Sequence, residues 1–264
     1  MKPLFFGEAG HRLYGVYHPP VKGGRHAVLL CYPGMQEYNA AHWMFRRLAT
    51  MLAKEGHHVL RFDYFGTGDS DGDSDATTPE CAAADVWAAA RELKDVSRAS
   101  ELSLVGFRLG ATCAALACSE GLVARRLVLW EPVVDGSAYV RELETLDERR
   151  NLVLLHASRT RNRRDELLGY LFTERMRAAT LAIDLARRVP MSVGQVVVFA
   201  REVESQHLAL RDSYSASGIS VQLRTIQEAD EAAGQQVRER TLLSNTVLRE
   251  ITDELRGVGG AIAI

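Results

Sequence analysis

Short apolar runs alternate along most of the chain with longer stretches of helical period. Residues 12–17 alternate apolar and polar side chains and stop at Pro19-Pro20, which predicts an early edge strand. His26 to Cys31 is a continuous apolar run closed by Tyr32-Pro33-Gly34, the mark of a buried strand ending in a turn. Phe45, Leu48, Ala49 and Leu52 recur at i, i+3, i+4, i+7 and define one face of a helix, with Gly56 as its stop signal. Val59 to Asp63 is the next strand, and it runs into the glycine-rich loop Phe65-Gly66-Thr67-Gly68-Asp69-Ser70. Pro79 to Leu93 reads as a helix with proline in its first turn. Residues 102–111 read as strand, sharp turn and helix, the helix continuing to about Ser119, and Leu127 to Trp130 is a further strand ended by Glu131-Pro132.

This alternation implies a parallel sheet with helices on both faces. The rhythm changes between 135 and 190, where the chain is charged and mostly helical, so this stretch is expected to form a cap inserted over one edge of the sheet. Strands resume at 195–200 and 219–224, and a closing helix is expected over about Gly234 to Leu255. The domain reading is a core of residues 1–134 and 191–256, a helical cap of 135–190 and a loose tail of 257–264.

Composition narrows the function classes. The 264 residues are 47% hydrophobic and 25% charged, ordinary for a globular chain with a sizeable core. A net charge of −2 gives no electrostatic reason to expect nucleic acid or an anionic membrane. Residues 1–7 hold no signal-peptide apolar core, and no run of about 18 apolar residues predicts a membrane span. Cys31, Cys81, Cys113 and Cys118 show no paired framework, which suits a cytoplasmic protein with reduced thiols. No His-x-x-x-His or Cys-x-x-Cys spacing suggests a metal, and Gly66-Thr67-Gly68 lacks the lysine of a P-loop and the spacing of a dinucleotide fingerprint, so no cofactor is expected. The oligomeric state cannot be read from the chain.

Three blocks resemble the α/β-hydrolase family, in its aminopeptidase-like and lipase-like branch: Tyr32-Pro33-Gly34-Met35, Arg61 through Ser70, and Gly106-Phe107-Arg108-Leu109-Gly110. The resemblance implies the α/β-hydrolase fold, a mostly parallel eight-stranded sheet with helices on both faces. The third block is similar to the Gly-x-Ser-x-Gly nucleophile elbow in all but its centre, where arginine stands for serine. Together with Leu129 through Gly136, that arginine resembles a narrower group of hydrolase-like proteins associated with bacterial exosortase and exopolysaccharide systems. The family's order of nucleophile, acid, histidine places the histidine after the last strand, yet no histidine follows His207. Nucleophile and base are thus both missing from their positions. The resemblance puts the acid at Glu202 or Glu204 and the oxyanion-hole amides at Met35 and Leu109.

Arg108 would stand at the positive end of a helix, where a cation is disfavoured by roughly 0.3–1 kcal/mol unless an anion answers it. Glu131, ending the neighbouring strand, is the expected partner, in an ion pair that plugs the site. The competing role is bidentate binding of a ligand carboxylate or phosphate. His207 reads as a surface helix histidine and as the first suspect for any base. The Arg159–Arg164 cluster reads as a solvated cap face or as a docking patch for an acidic partner. Three functions remain open. One is a non-catalytic accessory protein binding a small-molecule or acyl ligand or a protein partner. The second is an enzyme without a covalent serine, in which Arg108 orients an acidic substrate. The third is a conventional esterase or peptidase with a displaced nucleophile.

Overall fold

A computed structural model describes residues 1–154, 165–226 and 245–256. Eight strands form one sheet: β1 (Lys2–Glu8), β2 (His11–His18), β3 (His26–Cys31), β4 (His58–Phe62), β5 (Glu101–Phe107), β6 (Ala124–Trp130), β9 (Val193–Ala200) and β10 (Ser220–Thr225). Their order is β1-β2-β4-β3-β5-β6-β9-β10. β1 pairs antiparallel with β2, and β2 antiparallel with β4, while every other pairing is parallel. The strand read from residues 12–17 is therefore not an edge strand. β1 lies outside it, and Pro3 and Gly7 had concealed β1 by interrupting its apolar pattern.

The apolar runs of β3, β5, β6 and β9 are buried because helices cover both faces. Helix α1 (Glu37–Lys54) lies on one face with α7 (Asn245–Arg256), while α2 (Pro79–Ser97) and α3 (Leu109–Ser119) pack together on the other. Thr78 caps α2 through the Cys81 N–H, and Pro79 occupies its first position. Residues 109–118 of α3 are all buried, as an all-round apolar helix at the centre of an α/β layer must be. Helix α6 (Ser205–Ala216) follows β9 and packs beside β10. Of the closing helix expected from Gly234, only Asn245–Arg256 falls within the described residues. The Arg159–Arg164 cluster and the 257–264 tail lie outside them.

The 135–190 segment leaves and re-enters the sheet at one place. It contains α4 (Gly136–Leu154), the hairpin β7 (Glu166–Leu167) and β8 (Tyr170–Leu171), and α5 (Glu174–Leu181). Its ends are stitched by Gly136 N–H to Ile183 O, 2.9 Å, and Leu185 N–H to Val134 O, 3.0 Å. Gly136 permits this approach, since a Cβ there would collide with the Thr180 carbonyl.

Candidate functional site

In a parallel sheet the carboxyl ends of neighbouring strands open onto one crevice. Three side-chain-bearing residues hold left-handed backbone there: Met35 after β3 (φ 53°), Arg108 after β5 (φ 50°) and Glu131 after β6 (φ 46°). Each such residue costs on the order of 1–3 kcal/mol, and clusters of them mark functional sites. Arg108, with ψ −123°, is the N-cap of α3 and makes the sharp turn out of β5. The glycines around it are sterically required. A Cβ at Gly106 would strike the Ala111 backbone, and one at Gly110 would strike the Cys31 and Tyr32 carbonyls.

The Arg108 side chain is 13% exposed. Its Nε donates to Glu37 Oε1 at 2.9 Å and its Nη2 to Glu142 Oε2 at 2.7 Å, while its guanidinium carbon lies 5.1 Å from the Tyr139 ring centre. Burial alone would push the guanidinium's pKa down; Glu37, Tyr139 and Glu142 outweigh it and drive the pKa up. Burial holds the Glu37 carboxyl above its ordinary range although Arg108 pulls it down. Glu37 Oε2 and Tyr139 Oη are buried and make no hydrogen bond among the described residues.

The expected Arg108–Glu131 pair is not formed. Glu131 stands at the adjacent strand end, but its carboxylate accepts the Arg201 N–H at 2.6 Å and Arg201 Nε at 3.3 Å. Arg108 reaches instead toward the first turn of α1 and the inner face of α4. Glu37 thus serves two ends at once, since a carboxylate in the first turn also suits the dipole of α1.

Two cavities flank this turn. The polar one, about 500 Å³, is lined by all five residues singled out for chemistry: Arg108, Glu131, Glu202, Glu204 and His207. His207 is not a surface histidine. It is 4% exposed, because it is the third residue of α6 and closes a capping box. The Glu204 N–H donates to His207 Nδ1 at 3.0 Å, and burial lowers the His207 pKa. Nδ1 is thus taken up as an acceptor by the cap. The apolar cavity, about 260 Å³, is lined by Met35 and Leu109 together with Tyr64, Ala82, Leu171 and Met176. Leu109 opens α3, so its N–H has no intrahelical acceptor.

One serine–histidine contact lies elsewhere. His26 Nε2 sits 2.8 Å from Ser103 Oγ, and His26 Nδ1 sits 3.1 Å from His57 Nδ1. His26 begins β3, His57 precedes β4 and Ser103 is the third residue of β5, all toward the amino-terminal ends of the parallel strands. Both His26 and Ser103 are buried, at 1% and 0% exposure, and burial lowers the His26 pKa to about 3. Sequence reading missed this cluster, whose members share no spacing motif. Cys31, Cys113 and Cys118 are buried, burial raises their pKa values, and all four thiols are free. No group of three metal-ligating side chains occurs among the described residues, and none of their helices is long and apolar enough to cross a membrane.

Solved structures share this architecture along nearly the whole chain. Est1E from Butyrivibrio proteoclasticus, bound to ferulic acid, superposes with a TM-score of 0.65 at 16% identity, covering 97% of both chains. An esterase from Pyrococcus furiosus matches with 0.65 at 17% identity, over 98% of this chain and 91% of its own. The fold is that of the α/β-hydrolases. A thermostable carboxyl esterase from Bacillus coagulans matches this α/β-hydrolase fold with 0.64 at 14% identity, over 97% and 98% of the two chains. Neither a protein-family model nor a curated protein sequence matches the chain.

Proposed function

We propose that this is an α/β-hydrolase-fold protein in which Arg108 occupies the nucleophile position, serine–histidine acyl transfer is lost, and the remaining role is binding in an accessory capacity. The observation that carries this reading is the pairing of Arg108 with both Glu37 and Glu142. Two of the three guanidinium nitrogens are already held by carboxylates of the chain itself, so the arginine acts as a plug between α1 and α4. This weakens the alternative in which Arg108 orients an acidic substrate. The displaced-nucleophile reading finds no support in Ser103–His26, which is buried at the opposite end of the sheet. Residues 135–190 act as a cap: Glu142 completes the plug, and Leu171 and Met176 wall the apolar cavity beside Met35 and Leu109. That cavity suits an apolar or acyl ligand, with the two amides available to its carbonyl oxygen.

The test is labelling with a fluorophosphonate alongside turnover of short-chain p-nitrophenyl esters. Neither is expected above background. Arg108→Ser alone is also expected to give no efficient esterase, because general-base help is worth about 10²–10⁴-fold and His207 is held in a cap. Stoichiometric labelling of any serine in the natural protein would overturn the proposal.

A further inference from the structure

Arg61 is a second guanidinium withdrawn from water, and nothing in the reading of Arg108 involves it. It lies on β4, between β2 and β3, in register with Val16 and Leu30, and is 9% exposed. Its Nε donates to His18 Nε2 at 3.2 Å and its Nη1 to Tyr32 Oη at 3.2 Å. Both partners are neutral at pH 7. Burial, then Arg61 itself, lowers the His18 pKa to about 4, and burial raises the Tyr32 pKa to about 12. No carboxylate of the described residues lies within 4.0 Å of the Arg61 guanidinium nitrogens. Arg61 is thus a buried cation with no carboxylate in direct contact, an arrangement that leaves it open to an anion.

Arg61 lines a cavity of about 370 Å³ that Arg108 does not touch. Its Nη2 makes no hydrogen bond among the described residues. Tyr14, Tyr38 and His42 give the cavity ring surfaces, and burial keeps His42 below its ordinary pKa. Asp63 and Asp69 also line it. Asp63 is engaged, accepting Tyr38 Oη–H at 2.6 Å and the Asp69 N–H at 3.1 Å. The exposed Asp69 carboxylate accepts no hydrogen bond among the described residues. A cation and two carboxylates in one wall disfavour a dianion. They suit a single negative charge accompanied by a hydrogen-bond donor.

We propose that this cavity binds a small monocarboxylate bearing a hydroxyl or amino group, its carboxylate on Arg61 and its donor on Asp69. The site and its ligand class stand whether or not Arg108 is a plug. Isothermal titration at pH 7 with glycolate, glycine, acetate and inorganic phosphate tests this. Glycolate or glycine is expected to bind several-fold more tightly than acetate, with phosphate weakest. Arg61→Met is expected to weaken glycolate or glycine at least tenfold, and Arg61→Lys to weaken it less. Should Arg61→Met lose its circular dichroism, Asp69→Asn on the exposed loop serves instead and is expected to erase the advantage over acetate. Absence of binding by all four probes, undiminished binding to folded Arg61→Met, a preference for phosphate, or an advantage over acetate that survives Asp69→Asn would overturn the proposal.

Discussion

Arg108 and Arg61 are both withdrawn from solvent, one in the turn after β5 and the other inside β4, and their surroundings differ in the charge that meets them. Arg108 caps a helix whose dipole opposes a cation, and two carboxylates answer it. Arg61 sits in a strand, where the net dipole is small, and the groups that accept its hydrogen bonds are a neutral imidazole and a phenol. A charge satisfied within the chain contributes to holding the structure together. A charge left unsatisfied beside a cavity adds little to stability and keeps its capacity for a ligand.

The sharpest way to break this contrast is Arg108→Met. It leaves the Glu37 carboxylate buried without its cation, and unfolding in urea should show a loss of about 3 kcal/mol at pH 7. This is the low end of the usual range for broken buried pairs, because Glu142 is partly exposed. A loss under about 1 kcal/mol would show that the pair is not structural. The same variant carries a pH signature. Without Arg108, the folded Glu37 pKa rises further above its unfolded value, so its contribution is fully present below about pH 4.5 and is lost as pH rises through the folded pKa. The deficit measured against the natural protein should therefore shrink between pH 7 and pH 5, and a deficit constant with pH would remove Glu37 as its source.

Glu131→Ala is expected to cost less, about 1–2 kcal/mol. It removes an acceptor from the Arg201 N–H and an ion pair with a half-exposed guanidinium, and leaves Arg108 untouched. A cost above that of Arg108→Met would reverse the ranking. The smallest effect belongs to Arg61→Met, which should fall within about 1 kcal/mol of the natural protein or stabilise it, since a buried charge gives way to an apolar chain of similar reach. In the natural protein the folded His18 pKa lies below the unfolded value. Its contribution is therefore full above about pH 6.5 and is lost as pH falls toward about 4. Removing Arg61 should raise the His18 pKa and soften this acid loss, as an NMR titration of the ring would report. An unmoved His18 would mean that Arg61 does not hold it down.

The sheet was legible because β3, β5, β6 and β9 each carry a short, largely apolar run with turn residues behind it. The residues named at that sheet edge, Arg108, Glu131, Glu202, Glu204 and His207, line one cavity. Who pairs with whom was not legible. Glu37 lies 71 residues before Arg108 and Glu142 lies 34 after it, on helices whose orientation the pattern leaves open. One signal was present: Glu37 follows the turn after β3 in the first turn of a helix, and that end faces the same crevice. Arg61 was visible only as part of a motif, since the absence of a contacting carboxylate is a property of packing that no local pattern records.

The guanidinium of Arg108 also joins three stretches of chain: the start of α1, the β5–α3 turn and the middle of α4. Seen as mechanics, it is a rivet between the sheet's own layer and the 135–190 segment. Subglobal openings that lift α4 away must first separate a buried cation from both of its carboxylates. Amide hydrogens along the inner face of α4 should then exchange through the same rare opening as those at the head of α1. Two helices remote in sequence would behave as one cooperative unit, coupled by the arginine of the β5–α3 turn.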